Sequence, residues 1–185
     1  LILMFSQIVF FFFYEKELIT DRPDQTESAA IVPAGYFQIE TGFVFEQDKA
    51  SGLTNESLNL FTTLLRYGIN QRFELRLGTS FLQTSTKPET GGETTMSGMS
   101  PVSAGIKFKM LNEQGAVPEM AFLLTTFIPS SGKSEFSPEY LATEMRFAVG
   151  YTLSDWLGLG MNIGGAWNGE DLKPSGVYSF VFGAE

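Results

Sequence analysis

Apolar and polar residues alternate with a period of two along most of this chain, and this alternation limits its possible folds more than any other feature. After residue 35, Phe37 and Ile39 fall on one face while Gln38 and Glu40 fall on the other. Side chains of a β-strand point alternately to opposite faces, so the pattern predicts a two-faced strand. Seven further segments read as strands: 57–67, 73–83, 102–110, 119–128, 140–153, 157–167 and 177–185. With no convincing helix, the sequence predicts an all-β fold with at least eight strands.

The second predicted strand of the chain, 57–67, is ambiguous, because two faces can be drawn through it. Leu58, Leu60 and Leu64 share the parity of Arg66, which would place a charge among leucines. We place Arg66 on the polar face and Tyr67 on the apolar one.

The connections between predicted strands alternate in length. The long ones are 47–56, 84–101, 129–139 and 168–176, and the short ones are 68–72, 111–118 and 154–156. In an up-and-down antiparallel arrangement this alternation puts every short turn at one end and every long loop at the other. Such sorting is typical of outer-membrane barrels, which have short periplasmic turns and long external loops.

Aromatic residues fall into two groups along the predicted strands. One group adjoins the short turns and one lies toward the long loops: Phe37, Tyr67, Phe73, Tyr151 and Trp156, then Phe45, Phe81, Trp167 and Tyr178. Two aromatic belts separated by aliphatic residues match the girdles at membrane interfaces. The alternative is aromatic filling of a sandwich core, but the polar face is poor in charge and rich in Gly, Ala and Ser. We therefore predict a transmembrane β-barrel.

Composition and charge exclude several function classes. The chain has no Cys and no His, which removes disulfides, thiolate chemistry, Cys/His zinc sites and any histidine general base. Its net charge of −9 argues against a nucleic-acid partner, which requires a basic face. No spacing singles out a Ser/Lys or paired-carboxylate site. We expect no enzymatic activity, no metal and no cofactor.

The N-terminal region divides into two parts before the strands begin at residue 35. Residues 1–14 are uncharged and apolar, too short for a spanning helix and typical of a signal-peptide core, with an uncleaved anchor or a strand as alternatives. Residues 15–34 form an acidic, irregular leader, either a linker or an ordered segment that enters the barrel. Its plug candidates are Thr20, Asp21, Arg22, Pro23, Asp24, Gln25, Thr26, Glu27 and Ser28.

Charged residues on the polar face would line the lumen of a barrel. Besides Glu46, the candidates for the solute path are Glu40, Arg66, Glu74, Arg76, Lys107, Lys109, Glu144 and Arg146. Charges inside a lumen should be paired or hydrated, and Arg66 with Glu74 is a candidate cross-strand pair. The set is either a structural ladder of salt bridges or a means of selecting ligands and ions.

Several motifs together resemble a known family. These are ITDRPDQTES at 19–28, VPAGYFQIETGF at 32–43, LLRYGI at 64–69, FELR at 73–76, GIK at 105–107 and FAVGY at 147–151. They resemble the transporter-like outer-membrane barrels of the MetA-pathway phenol-degradation family, over about residues 19–185. The resemblance implies passage of small, often hydrophobic or aromatic, compounds through the outer membrane, and it supplies no catalytic residues. Members generally continue through further strands, so we expect part of a wider barrel, truncated at both ends; a small closed barrel is the alternative.

Two functions remain open. The first is a porin-like channel in the outer membrane of a Gram-negative bacterium, with the lipid bilayer and a small-molecule solute as partners. The second is a non-conducting structural or adhesive barrel whose long external loops, especially 84–101, bind partners.

Overall fold

The computed structural model describes residues 2–10, 21, 26–50, 52–89, 91–154, 156–171 and 173–184. Its elements are β1 (Ile2–Phe10), β2 (Phe37–Ala50), β3 (Leu53–Gly68), β4 (Phe73–Pro88), β5 (Thr94–Met99), β6 (Ser103–Leu111), β7 (Glu119–Phe127), a 3-10 turn (Ser134–Phe136), β8 (Ala142–Ser154), β9 (Leu157–Trp167) and β10 (Ser175–Ala184). The strands form one antiparallel sheet in the order β1-β2-β3-β4-β6-β7-β8-β9-β10, with β5 paired to β4. Within the described residues no helix has the length and apolar character needed to cross a membrane.

The all-β prediction is confirmed, and the sheet is a partial β-barrel. Residues of the leader contact the inner faces of both β2 and β10, through Asp21 with Glu40 and Thr26 with Ser179. Those two strands are seven neighbours apart along the sheet, about 33 Å if it were flat. The sheet must therefore curl around the leader.

The strands are longer than predicted at the end that carries the long connections. Two predicted loops, 47–56 and 84–101, are mostly strand: β2 and β3 run to a tight turn near Gly52, and β5 pairs with the outer half of β4. These stretches are polar on both faces, so they lack the apolar alternation by which strands are recognised. The backbone of Ile2–Phe10 pairs with β2 as a strand, the arrangement that the sequence left as an alternative to a signal-peptide core.

A bulge in β3 explains its ambiguous pattern. Leu60 pairs with Phe81, but Thr63 pairs with Thr79, so β3 holds one residue more than β4 in this stretch, and Phe61 has a φ of 50°. An extra residue exchanges the two faces of a strand. Leu58 and Leu60 therefore share a face with the outer residues of β4, although Arg66 of the same parity points inward.

The barrel wall is apolar outside and charged inside. Leu77 and Phe180 are 50% and 65% exposed on the outer face, whereas Glu40, Arg66 and Lys107 are 0%, 1% and 0% exposed on the inner face. A water-soluble protein has the opposite arrangement. The prediction that Arg66 faces inward and Tyr67 faces outward is confirmed. Arg66 is buried on the inner face, and Tyr67 stacks on Phe37 on the outer face.

Candidate functional site

The leader enters the barrel at the end that carries the short turns. The amide of Gly35 donates to the carbonyl of Gly68 over 2.7 Å, and the amide of Gly68 donates to Tyr36 over 3.1 Å. The carbonyls of Val32 and Pro33 occupy the position that a Cβ on Gly68 would take. Only glycine permits this approach, so β3 ends at a residue that admits the leader backbone.

Charged side chains of three neighbouring strands form a buried network on the inner wall. Arg66 donates from Nε to Glu74 Oε1 (2.8 Å), from Nη2 to Glu74 Oε2 (2.9 Å) and from Nη1 to Glu40 Oε1 (2.9 Å). The predicted Arg66–Glu74 pair is therefore present, and it is bidentate. Arg76 lies directly opposite Arg66 in the ladder and also donates to Glu74, over 3.1 Å. Since like charges in register repel, the carboxylates are needed between them.

Two carboxylates of the leader complete this network. Asp21 Oδ2 lies 2.5 Å from Arg76 Nη1, 2.6 Å from Lys107 Nζ and 3.2 Å from Arg66 Nη1. Glu27 Oε2 accepts from Arg76 Nη2 over 2.6 Å. We call Asp21, Glu27, Glu40, Arg66, Glu74, Arg76 and Lys107 the ion cluster.

The charge of Asp21 is stabilised by its neighbours. Burial alone would raise the pKa of this carboxyl, but the surrounding cations, Lys107 foremost, hold the pKa well below its ordinary value. Asp21 is therefore ionised in the docked leader over the physiological pH range.

The wall also binds the backbone of the leader. The carbonyl of Ala30 accepts from Arg66 and Lys107, each over 3.1 Å, and the amide of Val32 donates to Glu74 over 2.8 Å. On the opposite wall, Asn162 exchanges two hydrogen bonds with the backbone of Glu27, of 2.6 and 2.8 Å. The leader is thus an ordered part of the fold between 26 and 34.

Apolar packing supports the same placement. Ala29 of the leader belongs to one buried cluster with Ala121 and Leu123 of β7 and Ala148 of β8. The small side chains of Ala121 and Ala148 on this part of the wall leave room for a polypeptide inside the barrel.

A cavity of about 820 Å³ lies between the docked leader and the long connections. Its floor includes Glu27 and Arg76, and its wall includes Phe127 and the ion pair of Glu144 with Arg146. Trp167, which the sequence assigned to the outer aromatic belt, also lies among the lining residues, at the end of β9 next to a long connection. The leader therefore forms the floor of the lumen instead of lining its side.

The sequence-predicted lumen residues divide into three sets. Arg76, Glu144, Arg146 and the further polar-face residue Glu46 line the cavity. Glu40, Arg66, Glu74 and Lys107 are buried in the ion cluster and are not among the lining residues. Lys109 lies at the short-turn end, where its amide donates to the carbonyl of Arg72 over 2.8 Å and its side chain pairs with Glu119.

The plug candidates are partly described. Asp21, Thr26, Glu27 and Ser28 contact the wall or one another inside the barrel. Thr20 and residues Arg22, Pro23, Asp24 and Gln25 lie outside the described residues. The sequence did not single out Asn162 as a residue that binds the leader. Asn162 lies among glycines and an alanine on the inner face of β9, and a lone amide side chain in such a row was the signal that could have identified it.

Within the described part of the chain, no group of three or more Asp, Glu, His or Cys residues is placed to hold a metal ion. Each acidic residue of the ion cluster instead has a cation within 3.2 Å.

Comparison with known proteins identifies the family. Neither the curated proteins nor the solved structures contain a significant match. A family model described as "Putative MetA-pathway of phenol degradation" matches residues 20–184. The match spans the leader from residue 20, the ion cluster and the strands β2 to β10, and the chain belongs to this family.

Proposed function

We propose that the protein is an outer-membrane barrel through which small solutes diffuse, and that the docked leader restricts the path at the short-turn end. The observation that carries the proposal is the inverted wall: exposed apolar side chains outside, buried charge and an 820 Å³ cavity inside. An apolar outer face is the surface that a bilayer solvates, and a polar inner face is the surface that water and solutes contact. The protein catalyses no reaction in this role.

The aromatic residues of the wall support the membrane location. Phe37 stacks on Tyr67 with ring centroids 4.4 Å apart, and Phe73 packs on Phe108 at 4.8 Å. Both pairs lie on the outer face at the short-turn end, where an aromatic girdle contacts lipid headgroups.

The cavity favours solutes that have both apolar and polar parts. Phe127 and Trp167 supply apolar surface, while Glu144 and Arg146 supply charge close by. The description of the family names phenol degradation, and a small aromatic compound with a polar substituent fits such a lining. We propose this solute class for the path.

Reconstitution tests the proposal. The full chain in planar lipid bilayers should conduct ions, and liposomes that contain it should admit small aromatic compounds faster than empty liposomes. Deletion of residues 15–30 should raise the conductance, because the leader forms the floor of the lumen. Absence of conductance and uptake from both forms would exclude a channel and favour the non-conducting structural barrel.

A further inference from the structure

Three cations of the barrel wall converge on one point, and a carboxylate of the chain's own leader occupies it. We propose that the inner wall carries a binding site for a small carboxylate, formed by Arg66, Arg76 and Lys107, and that Asp21 is its resident occupant. The proposal goes beyond solute passage and does not depend on conduction.

The geometry is that of a complete anion site. The Oδ2 atom of Asp21 has Arg76, Lys107 and Arg66 nitrogens at 2.5, 2.6 and 3.2 Å. The Oδ1 atom accepts from the amide and the hydroxyl of Ser28 over 2.8 and 2.6 Å. Both oxygens of the carboxylate are therefore fully used, as expected when a carboxylate is recognised by converging charged donors.

The wall requires an anion at this point. The described residues of the wall contribute three cations (Arg66, Arg76 and Lys107) and two carboxylates (Glu40 and Glu74) to the ion cluster. Each of these five side chains is 5% exposed or less. Among the described residues, Glu27, Glu40 and Glu74 pair with the two arginines, whereas Asp21 is the carboxylate that pairs with Lys107. A buried cation without a counter-ion is strongly unfavourable, so removal of Asp21 leaves the ammonium of Lys107 without a carboxylate in contact. Any small anion that reaches the site relieves this cost.

A carboxylate matches the site better than a spherical ion does. The two oxygens of Asp21 face different donors, with the cations on one side and Ser28 on the other. A planar group with two acceptor oxygens can accept from both sets of donors, whereas chloride is a single spherical acceptor. The site is also adjacent to the cavity, since Arg76 contributes to both.

Chemical rescue tests the proposal directly. The variant Asp21→Ala keeps the Cβ and removes a group with the size and charge of formate. In detergent micelles, formate at about ten times its dissociation constant should raise the thermal midpoint of this variant by about 4 °C relative to chloride at equal ionic strength. Formamide, which has the same shape without the charge, should leave the midpoint unchanged. The wild-type protein should not respond to formate.

Two controls locate the effect. Glu46→Ala removes a carboxylate that lines the cavity outside the ion cluster, and it should show no specific response to formate. The double variant Asp21→Ala with Arg76→Gln should lose the response, because it lacks the nitrogen nearest to the anion and its remaining cations, Arg66 and Lys107, are outnumbered by Glu27, Glu40 and Glu74. If Asp21→Ala does not fold in chloride, its refolding yield in formate against chloride and formamide is the measurement.

The outcomes decide the proposal. A response to formate alone, lost in the double variant, supports it. No formate-specific response, an equal response to formamide, or an equal response of Glu46→Ala overturns it. Since none of these measurements uses conductance, a failure here is distinct from a failure of the proposed channel function.

Discussion

Arg66 links three strands and the leader through one side chain. It is 1% exposed and contacts Glu40 on β2, Glu74 on β4 and Asp21 of the leader. Removal of one partner from a buried ion pair leaves the other charges unpaired in a medium of low polarity, which destabilises a protein more than the pair itself stabilises it.

We predict that Arg66→Gln lowers the free energy of unfolding by about 3–5 kcal/mol. Urea titration in detergent micelles, followed by the fluorescence of Trp156 and Trp167, measures the change. The matched control is Lys87→Gln, since Lys87 is 40% exposed in its pair with Glu56 and should cost less than about 1 kcal/mol. Equal decreases in the free energy of unfolding of the two variants would show that burial of the network does not contribute to stability.

The lowered pKa of Asp21 predicts a specific pH dependence of the stability of the protein. Its pKa in the folded protein is lowered well below the ordinary value, so the stability it contributes is complete above the unfolded pKa of about 3.9 and is lost as the pH falls through the folded pKa. The difference in thermal midpoint between the wild type and Asp21→Asn should be constant from about pH 8 to pH 5 and shrink only below about pH 4. A difference that already shrinks between pH 7 and pH 5 would contradict the lowered pKa.

At the scale of elements, the end of β3 and the end of the leader are in close contact. The backbone carbonyls of Val32 and Pro33 lie where a side chain on Gly68 would begin, and neither can move without breaking the contacts of Gly35 and Tyr36 with Gly68. By contrast, Gly158 in β9 has open space around its missing side chain.

We therefore predict that Gly68→Ala destabilises the protein by about 1–3 kcal/mol, as overpacking does elsewhere. Gly158→Ala, the control, should be close to neutral because its methyl group meets nothing within 4 Å. The urea midpoints of both variants in the same micelles measure the difference. If Gly68→Ala is as stable as Gly158→Ala, the leader does not enter at this point.

Period-two alternation predicted the elements where one face is apolar and failed where both faces are polar. The range 157–167 matches β9 at both ends, whereas β5 was missed because Thr94–Met99 has no apolar face. The bulge at Phe61 depends on the register that β3 adopts with its neighbours, and one strand's pattern does not contain that information.

The candidate site was predictable as a set of residues but not as an arrangement. The inward charges and the leader follow from alternation and position, and Arg66 with Glu74 follows from neighbouring strands. The contact of Glu27 with Asn162 joins residues 135 apart in the sequence, and only the curvature of the sheet brings them together. For the same reason, the sequence did not show that four of the eight proposed lumen charges lie beneath the leader.

At the scale of the whole molecule, the leader closes one end of a curved sheet from inside. It contacts β2, β3, β4 and β6 through the ion cluster and β9 and β10 through Asn162 and Ser179. Because these contacts lie on opposite parts of the wall, the leader stabilises the curvature of the sheet, and it also forms the floor of the cavity. A change in its position therefore alters the lumen directly.

A reversible crosslink tests whether leader position controls passage. The Oγ atoms of Thr26 and Ser179 are 3.1 Å apart, and the chain has no cysteine of its own. Thr26→Cys with Ser179→Cys should therefore form a disulfide, whose sulfurs are about 2.05 Å apart, without large movement of either backbone.

In planar bilayers, the oxidised double variant should conduct less than the same protein after reduction, because the disulfide holds the leader in the lumen. Either single cysteine variant should conduct equally under both conditions, which separates the crosslink from effects of the reductant. A double variant that is fully oxidised by mass spectrometry, yet conducts as well as its reduced form, would show that the leader stays docked during passage. Solutes would then cross beside the leader, and the wall opposite the ion cluster would be the surface that selects them.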